Sequence, residues 1–298
     1  MTLIIGFVCT EGVALVSDSK VLDLETGESD WAHKILTPIT NMPFIVGAAG
    51  FSDLFRQFSR EIPEVVTKRV NEYRIYNIRA LIESGLTRNQ AIEHLTKIET
   101  PQVEKSTQQS ISLNERKKTS KPKKEVAVIP LPYTYTYQSF IQDCKDTIGK
   151  ITEQARTMVA NPLDVLIGLK GAYPFPSLHY VNCLGQERII DKYYAIGHGA
   201  PHVKQFFEHL YDPQKSMLEL ISYAFYAIAY AKFVAEDNTV GYDEQHPPEV
   251  VIVENNGNYG RIRFDRETEY LLNLEQEMEL IKKSIKNTKF PILAVTPK

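Results

Sequence analysis

Along the chain, apolar and polar residues alternate between two rhythms. Residues 3–9, Leu-Ile-Ile-Gly-Phe-Val-Cys, are almost wholly apolar, Thr10-Glu11-Gly12 interrupts them, and Val13-Ala14-Leu15-Val16 resumes the run. This predicts a β-hairpin whose loop is closed by Gly12. A three-residue loop sets Cys9 opposite Val13 and Ile4 opposite Asp18. Thr2, Ile4 and Asp18 then share one face, with Thr2 and Asp18 roughly 7 Å apart along the strand. A polar loop, Asp23 to Asp30, leads to a third strand at Trp31-Ala32-His33-Lys34-Ile35-Leu36.

The rhythm then turns helical. Leu54, Phe55, Phe58, Ile62, Val65 and Val66 recur at three and four within Ser52 to Tyr73, across Pro63, and one or two more helices follow in 72–98, capped by Thr87-Arg88-Asn89-Gln90. Beyond residue 137 the pattern predicts a helix over Gln138–Met158, strands at Leu163–Leu169, Leu178–Leu184 and Arg188–Ile196, and a short helix from Pro201 to Leu210. Ser216-Met217-Leu218-Glu219 is a capping box opening a helix that is apolar on nearly every side. A hairpin of Glu249–Glu254 with Tyr259–Phe264 and an exposed, charged helix over Glu267–Asn287 follow.

Residues 99–125 differ in kind, being rich in Lys, Gln, Ser and Thr with few large apolar side chains, which predicts a disordered loop. Its basic run, Glu115 to Lys124, reads as solvated surface. Val126 to Tyr137, with Tyr133, Tyr135 and Tyr137 alternating, reads as extended and suits the rim of a substrate groove. With 298 residues and a net charge of −3, the protein is long enough to bury a large core and has no overall basic character to favour nucleic acid. The three cysteines, Cys9, Cys144 and Cys183, are widely spaced, without zinc-like spacing, and read as reduced thiols in the cytoplasm. No metal or other cofactor is expected. The apolar run from Met217 to Ala235 carries Glu219 and Lys232 and is not expected to span a membrane.

The candidate chemistry lies at Thr2. Once Met1 is removed, this residue holds a hydroxyl and, a few bonds away, an α-amine with an unperturbed pKa near ~8, so nucleophile and base share one residue. An ammonium at Lys34 would lower the pKa of both groups, and Asp18 would keep that ammonium charged and oriented. An Asp-Lys pair at a strand end is also a common structural ion pair. Gly47 and Gly50 in Val46-Gly47-Ala48-Ala49-Gly50 equally suit a tight turn or the release of a backbone N–H toward an oxyanion.

Counted from Thr2, Asp18 and Lys34 stand at the seventeenth and thirty-third positions, and the frame Thr2-x3-Gly6-x5-Gly12-Val13-Ala14-Leu15-Val16-Ser17-Asp18-Ser19 resembles the opening of β-type subunits of the proteasome family. Three further blocks resemble it in order: Val46 to Asp53, Ala195 to Pro201, and Ser216 through Asp237 to Val253. The resemblance implies an α+β fold, the four-layer αββα sandwich of N-terminal nucleophile (Ntn) hydrolases. Most of the sequence would form one domain, residues 76–137 an insertion and 266–298 a helical extension.

It also implies a threonine-type peptidase with Thr2, Asp18, Lys34 and Asp237 in the catalytic set and the Gly47 N–H at the oxyanion. Val21, Ala32, Ile45 and Ala49 would line an apolar specificity pocket. The family's accessory serines are replaced by His198, read either as a surface or space-filling side chain or as a proton carrier beside the substrate, and by Val240, with Thr239 an alternative hydroxyl. Peptide or unfolded-protein substrates, a homo-oligomeric ring and an ATPase or cap partner are the corresponding expectations. A connectase-like peptide ligase and a non-catalytic assembly subunit stay open as alternatives.

Overall fold

A computed structural model describes residues 2–22, 29–37, 44–50, 52–99, 135–155, 163–170, 176–262 and 267–287. The opening hairpin forms from β1 (Leu3–Cys9) and β2 (Gly12–Ser17), but its turn holds two residues, pairing Cys9 with Gly12 and Ile4 with Ser17. Gly12 also pairs with Glu254 on its other side. A Cβ there would stand 2.2 Å from the Val253 carbonyl oxygen, so glycine admits the neighbouring strand and extends the pairing by one residue. The expected register therefore shifts by one. Leu3, not Ile4, lies beside Asp18, whose N–H donates to the Leu3 carbonyl at 3.1 Å.

Two predicted strands each divide. The stretch Trp31–Leu36 splits between β4 (Ser29–Trp31), which forms a two-stranded ribbon with β3 (Lys20–Leu22), and β5 (Ile35–Leu36), which joins a different sheet. Lys34 sits in the gap between them. Arg188–Ile196 splits at a bend, Asp191-Lys192, into β9 (Glu187–Ile190) and β10 (Tyr193–Gly197), again in different sheets.

With β6 (Phe44–Ala49), β7 (Asp164–Leu169), β8 (Ser177–Val181), β11 (Glu249–Glu254) and β12 (Tyr259–Ile262), two antiparallel five-stranded sheets result. Their orders are β10-β1-β2-β11-β12 and β5-β6-β7-β8-β9. The near-continuous apolar reading of β1 follows from burial on both faces. Ile4, with Val13 and Leu15, packs against Ile45, Leu166 and Leu178 of the other sheet. Leu3, Ile5 and Phe7 face α4 (Ala200–Leu210) and α5 (Met217–Phe233). Each fully buried Leu, Ile or Phe of this kind stabilises the fold by about 1.5–3 kcal/mol.

The capping box at Ser216 forms as predicted, the Ser216 side chain accepting from Glu219 N and Glu219 accepting from Ser216 N. The C-terminal helix, α6 (Glu267–Asn287), departs from the expectation of an exposed element. Leu274 and Met278, four residues apart on one stripe, are buried in the same core as α5. On the second sheet, Phe44 stacks on Phe140 of α3 (Tyr137–Ala155), with ring centroids 4.0 Å apart. Helix α1 (Ser52–Glu83) runs unbroken past Pro63 and buries Leu54, Phe58, Ile62 and Val66.

The protein divides into two compact units, Met1–Thr67 with Tyr137–Lys298, and Lys68–Thr136. The second therefore begins eight residues before the predicted insertion. Within it, Leu81, Ala91 and Leu95 form a small core joining the end of α1 to α2 (Arg88–Glu99). Thr87 and Gln90 cap α2 reciprocally, at 2.9 Å and 3.4 Å. Of the predicted loop over 99–125, Glu99 ends α2 and the remainder lies outside the described residues, as do 126–134 of the predicted extended stretch, whose last residue, Tyr137, instead opens α3. Among the described residues, no helix is long and apolar enough to cross a membrane.

Candidate active site

Asp18 is the hub. It follows the last residue of β2, fully buried, and its Oδ1 accepts from Thr2 Oγ1 at 2.8 Å, Leu3 N at 2.8 Å and Lys34 Nζ at 2.7 Å. Its Oδ2 accepts from Gly241 N at 3.0 Å. The two-residue turn makes this possible. Because Asp18 lies beside Leu3 rather than two positions from Thr2, the carboxylate itself reaches the hydroxyl. Thr2 and Lys34 therefore meet across one oxygen.

Lys34 is 2 % exposed, and its ammonium also donates to the Lys20 carbonyl. Its backbone is tied down as firmly: Ala48 N donates to Lys34 O at 3.3 Å, and the buried Glu249 accepts from Lys34 N at 3.1 Å and Ile35 N at 3.3 Å. Burial pushes the Lys34 pKa below its ordinary 10.5, outweighing the opposing pull of Asp18 and, more weakly, Glu249. The folded protein then binds fewer protons here than the unfolded one in the window between the lowered value and 10.5. Stability accordingly rises with pH through that window and is lost as pH falls through it. Urea unfolding at a series of alkaline pH values should show this slope, and Lys34→Met should flatten it.

A cavity of about 50 Å³ opens beside this cluster, lined by Thr2, Val21, Asp30, Ala32, Lys34, Ala48, Gly50, Phe55 and Arg56. Of the four predicted pocket residues, Val21 and Ala32 are on it. Ile45 and Ala49 are instead buried in the core between the sheets, because they alternate with Ala48 along β6 and face the other way. The same parity moves the glycine. Gly47 is mid-strand, paired with Ile35 and Leu166, and its missing side chain leaves room for Ile4 and Leu15. Gly50, just past the end of β6, is the glycine on the cavity.

His198 is exposed in the turn before α4 and is not among the residues lining that cavity. Its neighbours in sequence matter more to Thr2. Gly197 has φ 94°, and a Cβ there would lie 2.0 Å from the Thr2 carbonyl oxygen, so only glycine lets β10 pass this close. Asp237 is buried and accepts from Thr239 N at 2.9 Å and Thr239 Oγ1 at 2.6 Å, while His202 Nε2 lies 3.6 Å from its other oxygen. Thr239 thus supplies a hydroxyl next to Val240, whose own side chain is buried in the core shared with α5.

Two residues that the structure adds to the site, Gly241 and Glu249, have no role in the reading from sequence. Glu249 alone has a local signal, as a carboxylate immediately before the apolar run Val250–Val253 and directly after Pro247-Pro248. Among the described residues, no cluster of His, Cys, Asp and Glu is arranged to hold a metal ion.

No family model matches this sequence, and no curated protein matches it. Solved structures do resemble it. A Gly-1 mutant of Anbu from Hyphomicrobium sp. strain MC1 superposes with a TM-score of 0.57 at 12 % identity, over 97 % of this chain and 99 % of that one. Another structure of Anbu from the same strain gives 0.55 at 13 % identity over 98 % and 100 %. Anbu (ancestral beta-subunit) from Yersinia bercovieri gives 0.54 at 11 % identity over 98 % and 100 %. These findings correct the expectation drawn from the motif blocks. The protein shares the fold of these Anbu structures, at an identity that shows fold alone, and this does not make it a proteasome β subunit.

Proposed function

We propose that this protein is a threonine-type N-terminal nucleophile hydrolase that cleaves peptide bonds through an acyl ester on Thr2. The observation that carries this reading is the single Asp18 oxygen shared by the Thr2 hydroxyl and the Lys34 ammonium, at 2.8 Å and 2.7 Å, with Thr2 and Lys34 both on the wall of a cavity. Removal of what precedes Thr2 frees its α-amine, which takes the hydroxyl proton as Thr2 Oγ bonds to the carbonyl carbon. The Gly50 N–H, in place of Gly47, is the candidate donor to the resulting oxyanion. The C–N bond then breaks, the proton leaves with the amine product, and water cleaves the ester and regenerates the hydroxyl.

The lowered Lys34 pKa suits proton exchange with this centre, while Asp18 keeps the ammonium aligned. The two sheets, each with helices on its outer face, support an αββα layering of the Ntn-hydrolase type. Description of the Yersinia bercovieri neighbour as a beta-subunit supports self-assembly, which native mass would register as a multiple of the 34.0 kDa protomer.

A peptide epoxyketone, which needs both a hydroxyl and a free α-amine on one residue, tests the proposal. Intact mass should show loss of Met1 and one adduct, mapped to Thr2. Retention of Met1 with no adduct would sink it. Product analysis with an added amine then reports whether water or the amine takes the acyl group.

A further inference from the structure

A second and larger cavity, about 390 Å³, lies on the other side of Ala32, which lines both. That volume is in the range of small-ligand sites. One wall is a stack: the Trp31 ring lies on the His246 ring, centroids 4.8 Å apart and 2° from parallel. Pro247, Pro248 and Ile262 add apolar surface. At the other end stand Glu249, Arg261 and His33.

The charges there are unevenly satisfied. Glu249 is 5 % exposed and fully used, one oxygen taking the Lys34 and Ile35 N–H groups and the other pairing with Arg261 Nη2. Burial pushes its carboxyl pKa up, and Arg261 and His33 oppose that. Arg261, by contrast, has five donors and one buried carboxylate oxygen. Its Nη1 is spent on the His33 ring, 2.8 Å from Nδ1, a contact in which a neutral imidazole must accept. Arg261 is 31 % exposed and His33 78 %, so the groups that reach the open space are a guanidinium cation and the imidazole facing it. The further charged group near the stack, Asp243, is held by His246 Nδ1 at 3.0 Å and by the Gln245 and His246 amides. A carboxylate entering between Arg261 and His33 replaces one neutral contact with charge-assisted bonds from the Arg261 guanidinium and a further hydrogen bond from the His33 ring N–H.

We propose that this cavity binds a carboxylate-bearing group of a peptide, either an acidic side chain or a free C-terminal carboxylate, through Arg261 and His33, with the adjoining hydrocarbon on the face of Trp31. Glu249 joins the site to the catalytic cluster, because the carboxylate that steadies Arg261 also holds the backbone of Lys34.

Trp31 is the one tryptophan of the sequence, so its fluorescence reports this cavity directly. Three probes separate the sources: acetyl-triAla with a free C-terminus, acetyl-Ala-Glu-Ala-amide, and acetyl-triAla-amide, which has neither carboxylate. The titration is run on the full-length protein and on Thr2→Ala, so that binding is read without turnover and whether or not Thr2 is a nucleophile. Saturable fluorescence change with one or both carboxylate probes, and none with the neutral amide, is expected. Arg261→Gln should raise the half-saturating concentration on the order of tenfold. An equal change with the neutral amide, no saturable change with any probe, or an unaltered half-saturation in Arg261→Gln overturns the proposal. Should Arg261→Gln lose its fold, His33→Asn at the exposed partner decides the matter, with weaker binding expected and unchanged binding refuting it.

Discussion

Thr2→Ala is expected to abolish peptide hydrolysis, lowering the rate by a factor on the order of 10⁴ or more, as removal of a nucleophile does elsewhere. The same change removes one hydrogen bond to a carboxylate, worth about 1.5–3 kcal/mol, so the variant should still fold. Far-UV circular dichroism and urea unfolding would establish the second point, and release of product from a peptide panel the first. Activity within tenfold of the parent in a folded Thr2→Ala protein would remove Thr2 from the chemistry.

The largest expected loss of stability belongs to Asp18→Ala. It strips Lys34 of its countercharge at 2 % exposure, and leaves Leu3 N and Gly241 N without their acceptor. Breaking a buried pair by removing one partner costs about 3–5 kcal/mol. Adding Lys34→Met to Asp18→Ala takes the unpaired charge away, so the double variant should recover much of that loss while remaining inactive. Urea midpoints of the three proteins provide the test. A drop below about 1 kcal/mol for Asp18→Ala would mean that the ammonium finds other partners or water.

The larger elements were readable from residue patterns because their signals are local. The Ser216 capping box and the apolar stripes of α1 and α3 depend on residues within a turn or two of each other. Failures cluster where the deciding contact is distant. The length of the first turn depends on Val253, more than two hundred residues away, whose carbonyl tolerates only glycine at position 12. The splitting of Trp31–Leu36 and Arg188–Ile196 is invisible to alternation, since a strand that ends one sheet and a strand that begins another carry the same apolar pattern. The exposed reading of α6 weighed its many charges over the apolar residues Leu271, Leu274, Met278, Ile281 and Ile285, which recur at three and four, and it is the core shared with α5 that buries Leu274 and Met278.

The candidate site divides in the same way. Thr2, Asp18 and Lys34 could be picked out by spacing, and they do meet. Which glycine and which pocket residues stand beside them could not, because one residue of register in β6 exchanges Ile45, Gly47 and Ala49 for Ala48 and Gly50. Sequence by itself determined the kinds of element, their order and the three polar residues placed at strand ends. Tertiary structure alone decided the register, the sheet each strand joins, and the capture of Lys34 by Glu249 from 215 positions away. The reason is physical: propensity and periodicity act over a few residues, whereas a buried charge is located by whichever distant donors and acceptors the packed sheets bring within hydrogen-bonding range.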